Sequence, residues 1–228
     1  MPAYKRYDSV REAAYVVFMR HGERNQDDSD FGLTPDGHNR ARYLAKCVPR
    51  SPSAAFPLGP PTRLMASVRG ANASHRPYDT LVPLSAALNL SIQREPMMDI
   101  YAPLKALHTL AGGDTLLVSW QHWFLPRMIA ALQPPEPQLL QQYPRSCPDT
   151  DWEEPAYTRG DLGDGDCYGV VWQLTVARPR GDASAPWQAV RFAQLQQGFH
   201  GEADGACADG FAPIAWGVHA DWTNRYRG

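Results

Sequence analysis

Val16-Val17-Phe18-Met19-Arg20-His21-Gly22-Glu23 is the stretch whose reading decides the fold. From Tyr15 to Met19 it is apolar and rich in valine, the pattern of a short strand buried on both faces of a parallel sheet. It then changes abruptly to Arg20-His21-Gly22, a sharp exit from strand to loop. In open α/β sheets ligands gather at the carboxyl ends of strands, so a histidine placed there is a candidate for chemistry.

Reading outward, the same alternation recurs. Leu33-Thr34-Pro35-Asp36-Gly37 opens a helix, with Thr34 as N-cap and Pro35 in the first turn. The helix carries Ala41, Leu44, Ala45 and Val48 toward the core and stops before Pro49. Residues 49–62 read as a loop and Arg63–Ser67 as a second strand. Ser74–Leu90 reads as a helix that Pro83 kinks or breaks. Ser91–Gln93 is a short strand, Thr115–Trp120 a strong one, and Phe124–Leu132 a helix. Residues 134–166 are rich in Pro, Asp, Gly and Gln and read as a long loop. Tyr168–Ala177 and Trp187–Leu195 pair as an antiparallel hairpin at the sheet's edge. Beyond Gln197 no element can be assigned. Strands alternating with helices predict an α/β fold on a mainly parallel sheet.

Three strand ends matter. The first strand leads into His21. Thr115–Trp120 leads into His122. Arg63–Ser67 leads toward Ser74-His75-Arg76-Pro77. If these ends are neighbours, one pocket collects Arg20, His21, Arg76 and His122. Two guanidiniums bind phosphate oxygens in bidentate fashion. A neutral imidazole can attack phosphorus, and a protonated one can stabilise the charge on the equatorial oxygens. An acid is still needed for the leaving oxygen.

Four stretches, in order, resemble the histidine phosphatase superfamily, which includes phosphoglycerate mutase and the acid phosphatases. Val17–Glu23 looks like its signature segment. Gly32–Gly37 followed by Arg40-Ala41 is similar to its Leu-Thr-x-x-Gly helix start. Ala66-Ser67 through Ser74–Thr80 is similar to the segment supplying a second arginine. Leu116–His122 looks like the strand delivering the second histidine. The Cys167-Tyr168-Gly169-Val170-Val171-Trp172 strand is similar to a strand of a lesser-known branch with a Trp-x-His segment, here Trp120-Gln121-His122. The resemblance spans about residues 15–130.

It implies a single phosphoglycerate mutase-like domain over residues 1–228, a three-layer sandwich with helices on both faces of the sheet. It makes His21 the phosphate-accepting nucleophile, with Arg20, Arg76 and His122 completing the pocket. Asn25, just after the signature, would contact phosphate or a water. One departure concerns the proton donor. Trp123 follows the second histidine, so the His-Asp donor of the acid phosphatases is absent. The mutase-like donor lies between the second arginine and second histidine, where this chain offers Asp99 first and Glu95 second. Trp120 reads as core, and Trp123 as either core or the wall of a substrate pocket. The implied function is hydrolysis of a small phosphorylated metabolite. The alternatives are a non-catalytic phospholigand-binding or scaffolding module and an atypical mutase or biosynthetic enzyme. No metal or other cofactor is implied.

A formal net charge of -2 argues against bulk attraction to nucleic acid or to an anionic membrane surface. No apolar run is long enough to span a bilayer, and early charges argue against a signal peptide. Cys47, Cys147, Cys167 and Cys207 have no metal-ligand spacing; a Cys147–Cys167 bridge is conceivable, but reduced thiols in a cytoplasmic protein are expected. Asp161, Asp164 and Asp166 lack the full calcium-loop pattern and read as an acidic turn. Nothing sets the oligomeric state.

Overall fold

The computed structural model describes residues 11–24, 31–50, 53–70, 73–135, 168–199, 201–204, 207 and 212–213. Asn25, the segments 26–30 and 136–166, Cys147, Cys167, His200 and His219 lie outside them.

The elements in chain order are β1 (Arg11–Arg20), α1 (Pro35–Cys47), β2 (Arg63–Val68), α2 (Arg76–Leu88) and β3 (Ile92–Pro96). They continue with α3 (Ala102–Leu107), β4 (Thr115–Trp120), α4 (Leu125–Ala131), β5 (Val170–Pro179), β6 (Gln188–Gln196) and β7 (Ala212–Pro213). The strands form one sheet in the order β3-β2-β4-β1-β5-β6-β7. β3, β2, β4 and β1 run parallel, and β5 to β7 add an antiparallel flank.

The valine-rich run explains the layering. Successive side chains of a strand point to opposite faces. Val16 and Phe18 therefore enter one core with residues of α3 and α4. Val17 and Met19 enter a second core with Leu44 of α1 and Leu81 and Leu84 of α2. Helices thus cover both faces of the sheet, giving the expected three-layer α/β sandwich.

Local signals account for most boundaries. The Thr34 hydroxyl accepts the Gly37 N–H at 3.1 Å and starts α1, with Pro35 in the first turn. Asn89 in the left-handed conformation ends α2.

Several expectations need correction. α2 runs through Pro83 without breaking. Burial of Leu81 and Leu84 on either side of it outweighs the lost backbone hydrogen bond. β3 extends to Pro96, so Glu95 is a strand residue paired with Ser67. Helix α3 occupies a stretch whose sequence marked no element. The expected antiparallel hairpin is present as β5 and β6 on the flank of the sheet, and the two-residue β7 adds to that edge.

The cysteines depart most. Cys47 and Cys207 form a disulfide across a sequence separation of 160, in place of the reduced thiols expected. Spacing rules see only nearby pairs. Here docking of the C-terminal segment on α1 brings two distant cysteines together. Lys46 Nζ donates to the Asp204 carbonyl at 2.7 Å, Asn39 Nδ2 to the Gly201 carbonyl at 3.1 Å, and the Tyr43 hydroxyl to the Gly198 carbonyl at 3.0 Å. Among the described residues, no helix is long and apolar enough to cross a membrane.

Candidate active site

β2, β4 and β1 are consecutive neighbours in the sheet. The three strand exits singled out from the sequence therefore open side by side. Register places Arg20 opposite Trp120, and the His21 N–H donates to the Trp120 carbonyl at 3.2 Å. The β1 and β4 exits are stitched together at the point where each releases its histidine.

The loop after β1 is held from below. The Gly22 N–H donates to the Thr80 hydroxyl at 2.8 Å, and that hydroxyl donates to the Arg76 carbonyl at 2.8 Å. A single buried threonine thus ties the His21 loop to the first turn of α2, where Arg76 sits. The loop also lies against the start of α1. A Cβ on Gly22 would stand 3.1 Å from Gly37 Cα, and one on Gly37 would stand 2.7 Å from the Glu23 carbonyl oxygen. Both glycines are needed because two backbones approach each other here.

His21 is almost wholly buried, as is Arg20, each with 1% exposure; Arg76 and His122 retain 8%. His21 Nδ1 lies 2.7 Å from the Gly22 carbonyl. A carbonyl only accepts, so Nδ1 carries the proton and Nε2 keeps its lone pair. Burial holds the imidazole pKa well below its ordinary value, and the Arg20, Arg76 and His122 charges push the same way. The Gly22 carbonyl alone pulls upward. The result is a neutral imidazole with its lone pair on Nε2, under the influence of two guanidiniums. That is an arrangement for accepting an electrophile that arrives as an anion.

Tyr168, just before β5, is a site neighbour that sequence reading does not assign to the pocket. Its ring lies 4.2 Å from the Arg20 guanidinium carbon and 6.0 Å from the His21 ring. Its hydroxyl accepts the Arg24 N–H at 3.4 Å. It packs against the pocket from the side of β5. Glu23 is also engaged. Arg40 grips its carboxylate at 2.6–3.1 Å, with Glu23 4% and Arg40 1% exposed. The third arm of Arg40 donates to Gln197 Oε1 at 2.9 Å, and Phe199 covers the guanidinium face. With its charge matched by Glu23, Arg40 braces the loop rather than binding an anion.

The other expected residues lie differently. The Asp99 carboxylate accepts from Lys105 Nζ at 2.7 Å and from the Tyr101 N–H at 3.1 Å. The Lys105 hydrogen bond, with that N–H, holds its pKa below the usual value. Glu95 accepts from Gln93 Nε2 at 2.7 Å. Trp120 is fully buried, and its Nε1 donates to the Met97 carbonyl at 2.9 Å. Trp123 is 56% exposed, with its ring 4.1 Å from that of His122. It is not a core residue. Among the described residues, no cluster of three or more His, Cys, Asp and Glu side chains converges as a metal site.

No family model matches the chain, and none of the curated proteins matches it. Solved structures do. A proposed phosphohistidine phosphatase from Nakamurella multipartitia is 20% identical, with a TM-score of 0.40, over 79% of this chain and 95% of that one. A phosphoglycerate mutase from Plasmodium falciparum is 10% identical, with a TM-score of 0.40, over 79% and 91%. A phosphoserine phosphatase variant from Entamoeba histolytica, bound to phosphoserine, is 12% identical, with a TM-score of 0.43, over 82% and 98%. At these scores no residue role is carried across, and the site is read from this chain's own geometry.

Proposed function

We propose that this chain is a phosphomonoester hydrolase of the histidine phosphatase type, acting on a small phosphorylated metabolite. The observation that carries the reading is His21 itself: buried, neutral, with Nδ1 anchored on Gly22. The two arginines and the second histidine act on the same ring. Arg20 and Arg76 take the phosphate oxygens, and His122 offsets charge on the equatorial oxygens. His21 Nε2 forms a bond to phosphorus while the ester P–O bond breaks. The leaving oxygen takes the bonding pair and then a proton. Water next attacks the phosphohistidine, releasing inorganic phosphate and restoring neutral His21. Asn25 is proposed as a further contact to phosphate or water. These steps draw on side chains alone, with no metal or cofactor.

Asp99 is the first candidate to supply the proton and Glu95 the second. Asp99 is ionised against Lys105. It must leave that partner and gain a proton before it can act as an acid. In the ionised state it is instead suited to accepting a proton from the attacking water. That same pairing favours a second reading, a phospholigand-binding module that does not turn over. Hydrolysis of p-nitrophenyl phosphate by the wild type and by His21→Ala separates the two. Turnover that survives EDTA and disappears in His21→Ala is expected of the enzyme. Phosphate binding without His21-dependent turnover would select the binding module.

A further inference from the structure

Leu58, Val82, Met98, Tyr101 and Trp123 are the large hydrophobic side chains left exposed among the described residues. Three of them, Met98, Tyr101 and Trp123, lie on the segments that leave the carboxyl ends of β3 and β4. That is the side of the sheet on which His21 and His122 emerge. The two segments are joined by the hydrogen bond from Trp120 Nε1 to the Met97 carbonyl. Exposed apolar side chains scattered singly need no explanation, but three on the segments that leave the strand ends beside a polar site call for one.

Trp123 is the member nearest the chemistry. Its indole lies 4.1 Å from the His122 imidazole, the two rings tilted by 34°, yet 56% of the residue remains exposed. On either side of it Trp120 and Leu125 are fully buried, and Phe124 packs against the core. The chain places an indole on one face of a pocket histidine and leaves it open to solvent. An aromatic surface beside a phosphate site suits a ligand with an anionic end and a flat apolar end.

We infer that Met98, Tyr101 and Trp123 form a shelf for the leaving group, and that the substrate is a phosphomonoester of an aromatic alcohol whose ring stacks on Trp123. The inference rests on the phosphatase reading and narrows it. The acid chemistry points the same way. Aryl oxides are weakly basic and depart without prior protonation, taking the P–O bonding pair and a solvent proton afterwards. An Asp99 held on Lys105 hinders such esters less than alkyl esters.

The test compares 1-naphthyl phosphate with glycerol 2-phosphate, each with wild type and Trp123→Ala. The wild-type preference in kcat/KM for the naphthyl ester should fall about tenfold in Trp123→Ala, mainly through KM, and Trp123→Phe should restore most of it. A preference unchanged by Trp123→Ala would overturn the inference. If no His21-dependent hydrolysis is found, the phosphatase reading fails separately. Calorimetric binding of 1-naphthylmethylphosphonate and methylphosphonate to the same proteins then decides the shelf alone. Tighter binding of the naphthyl compound that is lost in Trp123→Ala supports it; equal binding of both by the wild type refutes it.

Discussion

The tautomer of His21 follows from one backbone oxygen. The Gly22 carbonyl cannot donate, so the proton sits on Nδ1 and the lone pair on Nε2. Burial and the neighbouring cations then keep the ring neutral. The acid limb of kcat/KM, corrected for substrate ionisation, should therefore lie below pH 6.5, the ordinary histidine value. Replacing Arg20 by Met removes one cation and should move the limb upward. A wild-type limb at or above 6.5 would contradict this. Stability carries the same sign. Below pH 6.5 the unfolded chain takes up a proton that folded His21 refuses, so stability is lost as pH falls from there toward the lowered folded value. Arg20, His21 and His122 are legible in the sequence because each closes a short apolar strand. Arg76 is legible from the polar segment after β2. Tyr168 is not, because strand periodicity does not say that the residue before a strand packs on an arginine and a histidine.

Helix α1 does more than cover the sheet. Its buried stripe includes Gly37, Arg40, Ala41 and Leu44. An arginine on the apolar face of a helix signals a buried partner, although nothing in the sequence names Glu23 as that partner. Ion pairs between elements have no period to read. Because Glu23 stands two residues from His21, the pair couples α1 to the His21 loop. Arg40→Met should cost about 3–5 kcal/mol in denaturant unfolding, since it strands a buried carboxylate. The double variant Arg40→Met with Glu23→Leu should recover part of that loss. Equal stability of Arg40→Met and wild type would show that the pair is not buried as described. Other elements are read from the sequence more easily. The Thr34 cap and the valine-rich β1 show clearly, whereas Pro83 does not break its helix, because local propensity yields to the burial of Leu81 and Leu84.

Across the whole molecule, the C-terminal segment is what the sequence conceals. It is poor in periodic apolar residues, so it predicts no element, yet its described residues Gly198, Gly201, Asp204 and Cys207 are all tied to α1, the last by a disulfide. On the way it supplies Gln197 and Phe199 to Arg40, and so connects the bridge to the Glu23 pair. Reduction should lower stability by about 2–5 kcal/mol, as for a bridge closing a long loop, and the Cys47→Ser variant should match the reduced protein. An unfolding midpoint insensitive to reductant would contradict the bridge. The α/β class is more accessible to sequence reading, because β-α alternation restricts the topologies, but that β2, β4 and β1 are neighbours is settled only by the sheet order. The central claim is that these three strand ends build a pocket in which His21 becomes phosphorylated. Rapid mixing with a labelled phosphomonoester, acid-labile product mapping and mass spectrometry of the His21 peptide test it most directly. Label on His21 that is acid-labile, base-stable and chased by water is the expected result. Substrate turnover with no label on His21, or label on another residue, would contradict it.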